Sequence, residues 1–253
     1  MEKFVPCRKC KKKDGSSIPE GYFIGPKGLA KECAHHIEWR KKCQLERTLV
    51  NNGFLSDAMN YEFSKYVGEK SKLEVERLRN YCYVCSQKDT KELAIKSWIY
   101  LYGDNGTQKT TLANIIGKEH IRHGIDCKYV LMKTLIDNLW NSQRDDEAKK
   151  KINDWLNCDV LILDESFSKD KLHLWSSGNQ LGYIDEFLRE RITLGKGCIF
   201  ISNTHPDDVE KQGFSHSIQD LLSRELKKQN GLMTFRDNYF DSINESEMPN
   251  LLF

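Results

Sequence analysis

No apolar stretch in this 253-residue chain approaches the length that crosses a membrane, and no signal peptide opens it. Internal repeats and low-complexity tracts are lacking too, which argues against a solenoid. An overall excess of one charge is missing as well: 39 Lys+Arg against 37 Asp+Glu leave a net +2. With 30% charged and 39% hydrophobic residues and a mean hydropathy of −0.63, the expectation is a soluble, cytoplasmic chain that builds a real core. Its length leaves room for one α/β domain and a small appendage.

The balanced total hides a polarity. Residues 1–50 hold 12 Lys+Arg and 6 Asp+Glu, a net +6, which leaves −4 for the other 203 residues. The basic end suits an anionic partner, nucleic acid first, although a plainly solvated surface has the same composition.

The most informative segment is WIYLYGDNGTQKTTLANII, residues 98–116. An apolar run ends at Tyr102, a turn of Gly103, Asp104, Asn105, Gly106, Thr107 and Gln108 follows, and Lys109, Thr110 and Thr111 open an amphipathic helix. That order describes a phosphate-binding loop. Backbone N–H groups converge on anionic oxygens at the helix N-terminus, Lys109 reaches the β- and γ-phosphates, and the Thr110 hydroxyl is placed to ligate Mg²⁺. Gln108 departs from the pattern, because glycine normally precedes the lysine and lets the backbone approach the phosphates. Nucleotide binding is therefore expected, with hydrolysis that could be slow.

The second half of such a site is CDVLILDES, residues 158–166. Val160 to Leu163 form a continuous apolar run suited to a parallel strand covered on both faces, and Asp164 and Glu165 stand at its C-terminal edge, where ligands sit in open α/β sheets. There Asp164 can hold Mg²⁺ and Glu165 can polarise the water that attacks the γ-phosphate. Further along, GCIFISN ends in Asn203, suited to orienting that water, and SIQDLLSREL carries Arg224, which in an oligomer can reach a neighbour's γ-phosphate.

Nine cysteines in an intracellular chain suggest thiols or metal ligands rather than disulfides. Cys7 and Cys10 form a C-x-x-C pair and Cys33 with His36 a C-x-x-H pair, a donor set for tetrahedral Zn²⁺. His35 or Cys43 can substitute for His36. The second C-x-x-C, Cys82 and Cys85, ends a helical pattern and reads as core packing.

These features divide the chain into a zinc-binding, partner-interaction module at 1–47, a helical linker at 48–92 and an ATPase domain at 93–253. The alternation IKSWIYLYG, TTLANIIGKEHIRHG, KYVLMK, TLIDNLWNS, DVLILDE, YIDEFLRERITLG, KGCIFISNTH and SIQDLLSRELKKQ predicts a doubly wound parallel sheet with the phosphate loop at one edge. The tail NESEMPNLLF is expected to be loosely ordered.

GDNGTQKTT, DVLILDE, IFISN and LLSREL, in that order behind a Cys/His module, resemble the AAA+ helicase loaders of bacteria and their phages, the DnaC/DnaI group. The resemblance covers residues 60–242 in motif order. It implies a P-loop AAA+ fold that uses ATP/ADP and Mg²⁺, with Lys109 and Thr110 as Walker A, Asp164 and Glu165 as Walker B, Asn203 as sensor 1 and Arg224 as arginine finger. Arg236 is the nearest candidate for a second nucleotide-sensing arginine but is out of register. By the same resemblance the partners are a hexameric DnaB-type replicative helicase, gripped by the N-terminal module, single-stranded DNA, and further copies of the chain in an ATP-dependent oligomer. No membrane is involved, and the setting is a bacterial cell or a phage-infected host, the compact build favouring phage. Lys133, Lys169 and Lys171 are the candidates to meet DNA phosphates. Two alternatives stand beside this one: an IstB-like transposition helper ATPase, and a zinc-containing DNA-binding adaptor whose nucleotide site is a switch.

Overall fold

A computed structural model of the chain describes residues 3–8, 10, 11, 19–168 and 179–237. A short antiparallel hairpin, β1 (Tyr22–Ile24) and β2 (Ala30–Glu32), leads into the long helix α1 (Ala34–Asn51). Two 3₁₀ turns follow, then α2 (Lys72–Ser86) and α3 (Lys91–Ala94). From there strands and helices alternate: β3 (Trp98–Gly103), α4 (Lys109–Arg122), β4 (Cys127–Leu131), α5 (Met132–Asn141), α6 (Asp146–Asn157), β5 (Val160–Asp164), α7 (Asn179–Thr193), β6 (Gly197–Ser202), α8 (His216–Gln229) and β7 (Leu232–Phe235). No helix among the described residues is long and apolar enough to cross a membrane.

β3 to β7 form one sheet in the order β4-β5-β6-β3-β7, with every pairing parallel. The doubly wound arrangement expected from the strand–helix alternation is present, with one correction. The phosphate loop leaves an interior strand and not the sheet edge, because β7 pairs along the outer side of β3 from Tyr100↔Leu232 to Gly103↔Phe235.

The strands are apolar throughout because both faces are covered. Successive residues point to opposite sides, so Ile99, Leu101, Ile162, Ile199 and Ile201 enter one core and Trp98, Tyr100, Leu161, Leu163 and Phe200 the other. The first core is closed by α4 and by the segment expected to be a linker, through Leu49, Phe54, Ala58, Val75, Leu78, Cys82 and Cys85. Cys82 and Cys85 are thus buried packing residues, each with its thiol pKa pushed up by burial. The expected boundary at residue 47 falls inside α1, which runs on without a break.

Residues 144–151 contain the start of α6. Asp145 caps it by accepting from the Glu147 N–H at 2.9 Å, and Asp146 and Glu147 complement the helix dipole. At its other end, fully buried Arg191 of α7 donates to the carbonyls of Trp155 (2.5 Å), Leu156 (3.0 Å), Cys158 (3.2 Å) and Gly197 (2.5 Å). One guanidinium therefore satisfies the C-terminal carbonyls of α6 and ties them to the start of β6.

A second tie closes the opposite end of the molecule. The Asp237 carboxylate, just past β7, accepts from the backbone N–H groups of Glu69 (3.0 Å), Lys70 (2.9 Å) and Ser71 (2.8 Å) at the start of α2. Burial raises its pKa, but these backbone N–H groups and the Ser71 hydroxyl outweigh that and hold it below the ordinary value.

Replacing Arg191 with Met strands several buried carbonyls, so urea unfolding should report a loss of about 3 kcal/mol; a change under about 0.5 kcal/mol would refute its capping role. Because the folded-state pKa of Asp237 is depressed, its contribution to stability is present above the unfolded carboxylate value of about 4 and is lost as pH falls through the folded value. Asp237→Asn should therefore lower the melting temperature at neutral pH and reduce its decline below about pH 4; equal acid sensitivity in both proteins would contradict this.

Candidate functional site

β3 and β6 are neighbours, and β6 lies between β3 and β5, so the C-terminal ends of these three strands open onto one cleft. It is lined by Asn105 to Thr110, Asp164 to Ser166, Ser168 and Ile201 to Asn203, and its cavity volume is about 250 Å³. The phosphate-loop segment and the acidic pair, some fifty residues apart in sequence, thus face each other.

The loop is shaped by its own residues. Gly103 has φ +155°, and a Cβ there would lie 2.3 Å from the carbonyl oxygen of Phe235 on β7, so only glycine permits this closeness to the neighbouring strand. The Thr107 hydroxyl donates to the Asp104 carbonyl at 2.8 Å. Buried Lys109 folds back over the turn, its ammonium donating to the carbonyls of Gly103 (2.6 Å) and Asp104 (2.7 Å) and to Thr107 Oγ1 (3.0 Å). Gln108, in the place where glycine is usual, adopts φ 62°, ψ 15° as the N-cap of α4. The backbone shape that glycine would provide is therefore kept at a cost of about 1 kcal/mol for an L side chain.

Asp164 is the hub of the opposite wall. Its Oδ2 accepts from Thr110 Oγ1 at 2.9 Å and from the Tyr129 hydroxyl, and its Oδ1 accepts from the Glu165 N–H at 2.6 Å. Thr110 and Asp164 thus offer adjoining oxygen donors in the cleft, the hard ligand type that Mg²⁺ takes, so the residues present fit that ion. Tyr129 was not visible as a site residue from sequence. It lies on edge strand β4 in register with Ile162, and only that pairing brings its hydroxyl to Asp164. Burial and then the Asp164 charge raise its pKa, keeping the phenol protonated as a donor.

After β5 the backbone turns sharply: Glu165 (φ 53°) and Phe167 (φ 56°) are both left-handed. These two strained residues, one on each side of Ser166, set Glu165 at the cleft while Phe167 is buried. The Ser166 N–H donates to the Ile201 carbonyl at 2.8 Å, fixing the turn to β6. Just beyond β6, Asn203 Nδ2 donates to Asn105 Oδ1 of the loop at 2.6 Å.

Other expected site residues lie elsewhere. Thr111 and Asp104 belong to the loop region without lining the cleft. Arg224 sits on α8 away from the cleft, its Nε paired with Glu225 Oε1 at 3.1 Å and its side chain 56% exposed. Arg236 is exposed and is also absent from the cleft lining. Lys133 lies on α5 in an ion pair with Asp137 at 2.7 Å, while Lys169 and Lys171 fall outside the described residues.

At the N-terminus the turn at Cys7–Lys11 and the hairpin bring four donors together. Cys7 Sγ lies 3.6 Å from Cys10 Sγ and 3.7 Å from Cys33 Sγ, and Cys33 Sγ lies 3.5 Å from His35 Nδ1. Tetrahedral Zn²⁺ with bonds of about 2.3 Å to sulfur and about 2.0 Å to nitrogen spaces its ligands by roughly 3.5–3.8 Å; Cys7, Cys33 and His35 fit that ion as a group, with Cys10 beside Cys7. The histidine beside the thiols is His35 and not the His36 expected from spacing. The His36 ring is turned away, its Nδ1 on Glu32 Oε1 at 2.8 Å and its faces among Phe4, Tyr22 and Trp39. Cys43, the other alternative, is buried one face along α1 and is not in the cluster.

Comparison with known proteins places this geometry. Among solved structures, the DnaC helicase loader superposes with a TM-score of 0.56 at 18% identity, covering 72% of this chain and 100% of that one. DnaI gives 0.50 at 15% identity over 67% of this chain and 87% of that one. The replication initiator DnaA bound to AMPPCP and single-stranded DNA gives 0.54 at 20% identity over 70% of this chain and 50% of that one. The chain thus spans about half the length of that initiator. At these identities the likeness establishes the fold alone, an α/β domain with a five-stranded parallel sheet. No curated protein matches the sequence. One family does: the IstB-like ATP binding proteins match residues 36–171, more than half of the chain, and the protein belongs to that family.

Proposed function

We propose that this protein is a Mg²⁺-dependent AAA+ ATPase that binds a hexameric replicative helicase of the DnaB type and delivers it onto single-stranded DNA. The observation that carries the ATPase reading is the meeting of Thr110 with Asp164 in a cleft floored by the phosphate loop. Lys109, released from the loop carbonyls, turns its ammonium to the β- and γ-phosphates, while the N–H groups at the start of α4 take their oxygens. Thr110 and Asp164 would hold Mg²⁺, which supplies charge neutralisation between the β- and γ-phosphates. Glu165 accepts a proton from the attacking water, and Asn203 orients that water. The new oxygen–phosphorus bond forms as the bond to the β-phosphate bridging oxygen breaks and ADP leaves. Arg224, exposed and distant from its own cleft, is suited to act on a neighbouring copy's γ-phosphate in an oligomer.

The loader reading rests on the Cys/His module ahead of an AAA+ core and on the fold shared with DnaC and DnaI. In it, residues 1–47 hold one Zn²⁺ through Cys7, Cys10, Cys33 and His35 and grip the helicase. Residues 48–92 join that module to the ATPase domain at 93–253, and Lys133, Lys169 and Lys171 meet DNA, all within the cytoplasm. The family match favours a second reading, an ATPase that recruits a transposase as IstB-type proteins do. Pull-down with a hexameric helicase and with a transposase separates the two: a stoichiometric helicase complex supports the loader, and a transposase complex alone overturns it.

Glu165→Gln should retain ATP binding and lose about 100-fold or more in turnover, whereas Lys109→Ala should lose binding itself. Equal turnover of wild type and Glu165→Gln would remove Glu165 from the chemistry. For the cysteine cluster, elemental analysis should find about one zinc per chain, lost in Cys7→Ser/Cys10→Ser, diminished in His35→Ala and retained in His36→Ala; the reverse order for the two histidines would overturn the ligand assignment.

A further inference from the structure

Gln108 is the residue of the phosphate loop that the proposed chemistry does not use. It stands in a left-handed conformation that glycine adopts without strain, and its side chain does not extend toward solvent. The carboxamide turns to the backbone of Val67: Nε2 donates to the Val67 carbonyl at 2.6 Å, and the Val67 N–H donates to Oε1 at 3.5 Å. A loop side chain thus takes up both polar groups of one peptide residue forty-one positions earlier.

Val67 belongs to a fixed wall. The next residues are held by Asp237 through the N–H groups of Glu69, Lys70 and Ser71, and the Tyr66 hydroxyl donates to the same carboxylate at 3.5 Å. Gly68 passes so close that a Cβ on it would lie 2.4 Å from Asp237 Cγ. The segment 66–71 is therefore anchored to the end of β7, next to β3 in the sheet, and Gln108 reaches across from the first residue before α4 to meet it.

The chemistry of that contact is specific. A primary carboxamide presents an N–H donor beside a carbonyl acceptor. The Watson–Crick edge of adenine presents the same pair in the same order, its N6 amino donor beside the N1 acceptor, whereas guanine presents an O6 acceptor beside an N1–H donor. Against the carbonyl and N–H of one peptide residue, the Gln108 amide therefore does what an adenine edge would do and what a guanine edge cannot. We infer that Gln108 is an internal latch, a stand-in for adenine that competes with the base of an incoming nucleotide for the backbone of Val67. This rests on the nucleotide-site reading above and deepens it: the carboxamide does not stand against the phosphates, and binding of the base requires it to leave.

The test is calorimetric and needs no turnover. Gln108→Asn keeps an amide and a residue that tolerates left-handed backbone, but it is one methylene too short to reach Val67; Gln108→Gly removes the side chain and suits the backbone. With Mg²⁺ present, both variants should bind ATP roughly tenfold more tightly than wild type, the factor that about one net hydrogen bond is worth. Inorganic tripolyphosphate, which has no base, should bind all three alike, and GTP should gain little. ATP affinity unchanged or weakened in both variants overturns the latch, as does an equal gain for ATP and tripolyphosphate, which would locate the effect in the loop. If wild type binds neither ATP nor tripolyphosphate, the nucleotide site itself falls and takes the latch with it, a result distinct from the other two.

Discussion

The hydrogen bond from Thr110 to Asp164 links two segments whose strands are not neighbours. β6 lies between β3 and β5, so the ends of these strands are two strand spacings apart, roughly 10 Å. The first turn of α4 crosses that gap and sets a hydroxyl against a carboxylate. Everything else in the cleft follows from this crossing. Asn203 leaves the intervening strand between the two walls and bonds to the loop, Tyr129 comes in from the far strand to hold the same carboxylate oxygen, and the strained turn after β5 directs Glu165 beside it.

That crossing depends on a sheet packed on both faces. One core is built by helices that follow the strands in the usual alternation. The other is built largely by α1, α2 and the turns between them, which come before the first strand of the sheet in sequence. The segment expected to connect two units is thus structural cover for one of them, and α1 runs unbroken from the cysteine cluster to the edge strand, where the Asn52 carbonyl accepts from the Tyr129 N–H at 2.9 Å. The helix that begins beside the cluster ends against the strand carrying Tyr129, and Tyr129 touches the acidic wall of the cleft.

Much of the site was legible in the chain because the chemistry is local. The loop from Gly103 to Thr111 and the pair Asp164–Glu165 each lie within a few residues, and each sits at the end of an apolar run suited to a doubly covered strand. The same reasoning found Asn203 at the end of its strand. It could not find Tyr129, Asp237 or Val67, because nothing local marks them: one is a tyrosine in an ordinary strand, one an acid after the last strand, one a valine in a turn. Their roles come from strand register and from contacts made across 35 to 171 positions.

The histidine pair shows the division clearly. Spacing alone favoured His36, since C-x-x-H is the common knuckle, but Glu32 at the end of β2 holds the His36 Nδ1, and Phe4, Tyr22 and Trp39 surround its ring, leaving His35 to face the thiols. The order of residues alone determined the fold class, the phosphate loop and the acidic strand end, because hydrophobic periodicity and glycine placement act over a few residues and need no distant partner. Only the tertiary structure decided which histidine joins the cysteines, which strand lies outside the loop, and what the Gln108 side chain touches, because each of those turns on groups that the chain brings together only when the sheet closes.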